Sequence, residues 1–144
     1  MIRKATCCDA PAVARLAGQM WRGHSQDELT KEFEAIIAKE DCAVFVFEGG
    51  AEIIGFAQCA MRRDYVEGTE SSPVGYLEGI FVEKACRGNG YAKSLLQQCE
   101  CWAKERGCAE FASDCELTND ESLRFHLHCG FAEANRIICF TKKL

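Results

Sequence analysis

The chain has 144 residues, enough for one domain with a substantial core and too few for two comfortable ones. Its composition, 48% hydrophobic and 27% charged, is ordinary for a soluble globular protein. The formal net charge of -5, from 17 Lys plus Arg against 22 Asp plus Glu with no basic run, argues against nucleic acid as a partner; it suits a cationic substrate, although on charge alone solubility accounts for it.

No stretch approaches a membrane span, and Met1-Ile2-Arg3-Lys4 leads into mixed sequence rather than a signal peptide's apolar core. A cytoplasmic location without membrane attachment is the expectation. The 11 cysteines are odd in number and contain no Cys-x-x-Cys, while His24, His126 and His128 fall outside any finger spacing. This pattern predicts neither a metal site nor a disulfide framework. Most of the thiols are expected at apolar positions, packing as small hydrophobes in a reducing compartment.

In chain order, residues 1–5 read as an edge strand, followed by a helix from about Asp9 with Pro11 in its first turn and Val13, Leu16, Ala17 and Met20 on one face. Trp21-Arg-Gly-His24 breaks the pattern. A second helix is predicted over residues 26–39 with Leu29, Phe33, Ile36 and Ile37 as its stripe. Residues 43–48 and 52–62 read as two strands around the Gly49-Gly50 turn, and residues 63–73 as a long loop suited to binding. A strand follows over residues 75–82. Next comes a helix with Ala92, Leu95, Leu96, Cys99 and Trp102 on one face, ended by Gly107. A strand over 109–114, a short helix over 119–129 with Leu123 and Leu127 inward, and a last strand over 131–142 complete the series. The order predicts a mixed α/β domain, a sheet flanked by helices.

Between the strand ending at Val82 and the following helix stands Arg87-Gly-Asn-Gly90-Tyr-Ala92-Lys-Ser94. Glycines before a helix whose first N–H groups lack partners make an anion site. A Walker loop fails here, since Ala92 precedes Lys93-Ser94 and Arg87 stands where the first glycine should be. A dinucleotide fingerprint fails as well, with Lys93 at its third glycine. What remains, Arg87-x-x-Gly90-x-Ala92 after a strand, resembles the pyrophosphate loop of the GNAT superfamily of acyl-CoA-dependent N-acetyltransferases. With Trp21-Arg-Gly-His24, Arg62-Arg-Asp-Tyr65-Val-Glu-Gly68, Ser71-Ser-Pro-Val74, Leu77-Glu-Gly-Ile-Phe-Val82, Phe111-Ala-Ser-Asp114 and Cys129-Gly130-Phe131, the chain resembles more narrowly the bacterial aminoglycoside 6'-N-acetyltransferases.

The resemblance implies a largely antiparallel sheet with a parallel pair near the acetyl-CoA site, a homodimer, and direct transfer of acetyl to an aminoglycoside 6'-amine without a covalent enzyme intermediate. It implies that a bulge near Gly79 frees backbone groups of Ile80, Phe81 and Val82 for the pantetheine arm and thioester carbonyl, with Val82 as the catalytic backbone donor to that carbonyl. Amides of Gly88, Asn89, Gly90, Tyr91, Ala92 and Lys93 would hold the pyrophosphate, with Asn119 against the CoA arm. Trp21, His24, Tyr65, Glu78, Asp114 and Asn135 would meet the amine substrate, which would supply the partner that Glu78 and Asp114 need in apolar strands. On the residues alone, Trp21 and His24 read as helix-end packing and a solvated turn, while a loop anchor for Tyr65 and strand ends facing water for the two carboxylates are the alternatives. Glu78, acting through a water, is the first choice of base. Two departures stand out: His126 occupies the place of the usual acid tyrosine, and neutral Asn135 the place of an acidic residue in close relatives. A polyamine or protein-amine acetyltransferase, or a non-catalytic acyl-CoA sensor, would share the loop.

Overall fold

The structure, a computed structural model, describes residues 1–144. Five strands lie in the order β1-β2-β3-β4-β5: β1 Ile2–Lys4, β2 Cys42–Gly49, β3 Glu52–Arg62, β4 Val74–Val82 and β5 Phe111–Ser113. The first three pairings are antiparallel, and β4 and β5 run parallel. That last pair needs a crossover, which α3 (Tyr91–Glu105) supplies. Helices α1 (Ala10–Met20) and α2 (Gln26–Ala38) precede the hairpin, and α4 (Asp120–His128) follows β5.

Strand alternation divides the core. Val44 and Val46 of β2, with Phe56 of β3, pack with Val13, Leu16, Leu29 and Phe33 of α1 and α2. Their neighbours Ala43, Phe45 and Ala57 face the opposite way, onto Leu95, Leu96, Cys99 and Trp102 of α3. A strand covered on both faces must be apolar at every position, which is why residues 43–47 form an unbroken hydrophobic run. At the N-terminal edge, buried Asp9 accepts two hydrogen bonds from Arg3, each 2.8 Å, and one from the Thr6 amide at 2.7 Å. These bonds, the Arg3 pair foremost, hold the Asp9 carboxyl well below the usual carboxylate range and tie β1 to the entry of α1. Ser25 and Glu28 form a reciprocal capping box that starts α2.

Three expectations need correction. No strand forms over residues 131–142. Phe131 packs against His126 and Phe111, and residues 132–144 are exposed without helix or strand, because a strand requires a ladder partner that this part of the chain does not find in its own sheet. Phe125 of α4 and Cys129 just past its end pack against the core under α3, while Leu127 is 52% exposed. The thiols are less uniformly internal than composition suggests: Cys59, Cys99 and Cys108 are buried, but Cys7, Cys8, Cys101, Cys115 and Cys139 are exposed, and all 11 are free. No helix is long and apolar enough to cross a membrane.

Candidate active site

The site begins where β4 and β5 part. Their pairing runs Gly75↔Phe111, Tyr76↔Ala112 and Leu77↔Ser113, then stops, so Glu78 to Val82 have β3 on one side only. On that side Gln58 pairs with Gly79 and Cys59 with Leu77, which makes Glu78 the extra residue of a bulge. Beyond the bulge the Glu83 amide donates to Ile54 oxygen at 2.9 Å. In an antiparallel ladder hydrogen-bonded and non-hydrogen-bonded pairs alternate, so Phe81 bonds to Phe56, while Val82 and Ile80 turn their N–H and C=O groups away from β3. Arg87 Nε donates to Val82 oxygen at 2.9 Å, which confirms the direction and leaves the Val82 N–H open. The expectation that Phe81 also releases its backbone is therefore wrong, because its polar groups are held by β3.

The glycine loop opens beside this edge. Gly88 and Gly90 have φ of 83° and 78°, the left-handed region, and Gly90 caps α3. A Cβ at either position would meet nothing within 4 Å, so backbone conformation rather than crowding demands glycine here. The first helical bond of α3 is from Ser94 N to Gly90 oxygen, at 3.0 Å, and no amide from Gly88 to Lys93 has a backbone partner. Six N–H groups at the positive end of a 15-residue helix suit a pyrophosphate. The side chains around them have other work: Tyr91 stacks on Phe47 with ring centroids 4.1 Å apart, and Asn89 Nδ2 donates to Cys86 oxygen at 3.0 Å. Ala92 is half-buried against the core under α3, and Lys93 is exposed. Asn119 caps α4 by accepting from Ser122 N at 3.1 Å, which occupies its oxygen and leaves its NH2 group.

Trp21, His24 and Glu78 line one cleft of about 240 Å³, with Glu32, Phe33, Ile36 and Gln58. The Trp21 indole stacks on Phe33 at 6.2 Å and covers Gly79, where a Cβ would come within 2.7 Å of the ring. Glycine at 79 is what lets the indole lie on the bulge. His24 is exposed in the turn, its Nδ1 4.0 Å from Glu28. Half-buried Glu78 takes a two-pronged bond from Arg62, at 3.0 and 2.8 Å. Its partner is thus the chain's own guanidinium, not a substrate ammonium as expected, although each carboxylate oxygen keeps a further lone pair.

Arg62 also lies over the Tyr76 ring, 3.5 Å from the centroid, and the Tyr76 hydroxyl donates to Asp114 Oδ2. Burial foremost, then the bond to Asp114, pushes the Tyr76 phenol far above its ordinary range. Asp114 itself is exposed just past β5, outside the strand predicted to contain it. Glu78, Arg62, Tyr76 and Asp114 form one linked chain. Tyr65 and Asn135 lie apart from it, gathered by Glu67: Tyr65 hydroxyl donates to Glu67 at 3.1 Å and Asn135 Nδ2 at 3.3 Å. Glu32, Arg62, Tyr76 and Gln58 were not among the predicted site residues. Glu32 had a readable signal, since on α2 it lies one turn from Leu29 and Ile36, at the border of the apolar stripe. No group of three or more His, Cys, Asp or Glu converges in metal-binding geometry.

Comparison with known proteins gives a consistent picture. The model of the acetyltransferase (GNAT) family matches residues 10–131. A relative from Stenotrophomonas maltophilia named aminoglycoside N(6')-acetyltransferase type 1 is 38% identical over 99% of this chain and 93% of its own. One of the same name from Serratia marcescens is 39% identical over 87% and 86%. Among solved structures, AAC(6')-Iy in complex with the bisubstrate analog CoA-S-monomethyl-acetylneamine superposes with a TM-score of 0.94 at 36% identity, covering 100% of this chain and 98% of that one. With the parted strands, the glycine loop and these relatives in agreement, the chain belongs to the acetyltransferase (GNAT) family.

Proposed function

We propose that this protein transfers the acetyl group of acetyl-CoA to the 6'-amine of an aminoglycoside by direct attack in a ternary complex. The observation that carries the reading is the open edge of β4, with Ile80 and Val82 amides free, running from the glycine loop to a cleft that holds Glu78 and Glu32. The names of the relatives support the substrate class. Pyrophosphate on the Gly88–Lys93 amides fixes the direction of the pantetheine arm, which passes Val82 first and Ile80 next. The acetyl end then stands nearest Ile80, so the oxyanion hydrogen bond expected of Val82 passes to the Ile80 N–H, and Val82 holds the arm. Asn119 offers its free NH2 to the arm.

Trp21, His24, Glu32 and Glu78 receive the cationic sugar, and Asp114 extends the acidic surface. Tyr65 and Asn135, held by Glu67, border the substrate from the loop. Glu78 takes the amine proton through a water, using the lone pairs that Arg62 leaves. A cytoplasmic location, where acetyl-CoA and reduced thiols belong, fits the eleven free cysteines. A homodimer is also part of this reading, since Ile137, Ile138 and Phe140 are 66%, 81% and 88% exposed in one copy.

The test is to incubate the protein with acetyl-CoA and either a 6'-amino or a 6'-hydroxyl aminoglycoside and follow the drug by mass spectrometry. One acetyl group on the 6'-amine, and none added efficiently to the hydroxyl counterpart, is expected. Acetylation at another ring amine would overturn the 6' assignment while leaving acetyl transfer in place.

A further inference from the structure

We propose that Ser113 and His126 form a two-group proton relay that protonates the CoA sulfur as it leaves, an inference that rests on the acetyl-transfer reading. Ser113 is the last residue of β5 paired with β4, opposite Leu77. It therefore stands at the closed end of the gap whose open wall is Glu78 to Val82. An arm anchored at the glycine loop and laid along Val82 and Ile80 delivers its thioester to that closed end.

The hydrogen bonds around His126 fix where protons can sit. Nδ1 lies 2.7 Å from the Ser122 carbonyl oxygen, which only accepts, so Nδ1 carries a hydrogen in both protonation states; Ser122 Oγ is also 3.3 Å away. Nε2 lies 2.8 Å from Ser113 Oγ, and that hydroxyl is 3.3 Å from the Leu77 carbonyl oxygen, again only an acceptor. When the ring is neutral, Nε2 must accept and the Ser113 hydrogen points to it. When the ring is an imidazolium, Nε2–H donates to Ser113 Oγ and the hydroxyl hydrogen swings toward β4 and the gap. The charge on the ring thus decides which way Ser113 donates. Phe125 and Phe131 hold the ring edge-on, with centroids 5.8 and 5.1 Å away, and every hydrogen-bond partner of His126 is neutral.

The step balances. As the tetrahedral intermediate collapses, the C–S bond breaks and its electron pair goes to sulfur. Ser113 gives its hydrogen to the sulfur, Nε2 gives its hydrogen to Ser113 Oγ, and neutral His126 is recharged from water. The two protons lost by the ammonium leave through Glu78 and solvent, so one proton is released per turnover. Ser113 is the group that touches the sulfur, and His126 is the residue that positions and resupplies it.

The experiment measures single-turnover acetylation of a 6'-amino aminoglycoside by wild type, Ser113→Ala, Ser113→Thr, His126→Phe and the Ser113→Ala/His126→Phe pair, with CoA affinity as the check on folding. Acetyl-CoA is compared with the acetyl thioester of 4-nitrothiophenol, whose thiolate departs without a proton. Each of Ser113→Ala and His126→Phe is expected to slow transfer from acetyl-CoA by at least about tenfold, within the usual reach of general acid catalysis. The double variant should be no slower than the worse single, Ser113→Thr should recover most of the rate, and the gap from wild type should shrink with the aryl donor. Multiplicative losses in the double variant, equal losses with both donors, or unchanged rates in the single variants would overturn the relay. Absence of any acetylated drug from wild type would instead strike the acetyl-transfer reading itself.

Discussion

In the proposed mechanism Glu78 takes the amine proton, and its setting differs from that of a lone buried carboxylate. Because Arg62 already neutralises it, Glu78→Gln removes one exposed-to-half-buried ion pair, worth no more than about 1 kcal/mol of stability, and should fold normally. Its effect should fall on turnover: kcat lower by at least about tenfold near neutral pH, partly recovered in alkali, where more of the substrate amine is already neutral. Steady-state kinetics across pH reads this, and a variant matching wild type at every pH would remove Glu78 from the base role. Asp114→Asn keeps an acceptor for the Tyr76 hydroxyl and loses only charge, so it should raise KM more than it lowers kcat. Asp9 gives an independent acid test remote from the site. Its carboxyl is depressed in the folded state, so its stabilisation is complete above the unfolded value near 4 and is lost as pH falls below that. Thermal unfolding of wild type should weaken between about pH 5 and 2 more steeply than that of Asp9→Asn; parallel curves would dismiss Asp9 as the acid-sensitive group.

At the scale of elements, the proposed cofactor site, the glycine loop and the entry to α3, is a backbone feature. Gly90→Val finds open space at its Cβ but forces a β-branched residue to φ of 78°, where L-residues pay about 1–2 kcal/mol, and projects a side chain where the pyrophosphate is proposed to approach. CoA binding by calorimetry should weaken at least tenfold, or about 1.4 kcal/mol, and unchanged affinity in a folded variant would take the loop out of the site. This loop, the hairpin and the two amphipathic faces of α1 and α2 were legible in the sequence because their signals are local: glycine spacing, period-2 alternation, period-3.6 stripes. What was not legible depends on pairing across the sheet. Ile80 and Val82 differ from Phe81 only through a register set by Glu83 and Ile54, and Arg62 meets Glu78 only because β3 and β4 are neighbours. The strand expected over residues 131–142 is absent for the same reason. Residues 137–140 have the apolar content of a strand, yet a strand exists only where a second edge receives its hydrogen bonds.

At the scale of the molecule, that unpaired end is the strongest argument for a second copy. Ile137, Ile138 and Phe140 stand more than half exposed, whereas the apolar faces of α1, α2 and α3 are covered by the sheet, and β5, an edge strand of three residues, leaves its outer side unpaired. In the proposed dimer this tail is the association surface. The first part of the tail is anchored on its own chain, where Ala134 lies against Gly68 and Asn135 bonds Glu67, so the apolar residues beyond it project from a fixed point beside the substrate loop. A symmetric pair would use the tail twice, once from each copy. Fully burying a side chain of this size contributes about 1.5–3 kcal/mol, so Ile138→Asp/Phe140→Asp should raise the dimer dissociation constant by at least about a hundredfold, equivalent to 2.7 kcal/mol. Sedimentation velocity at micromolar concentration reads the outcome directly. Wild type should run as a dimer and the variant as a monomer that still binds CoA, because its loop and β4 edge lie within one copy. A wild-type monomer, or a variant that stays dimeric, would remove the tail from the interface and leave its exposed apolar residues to another role.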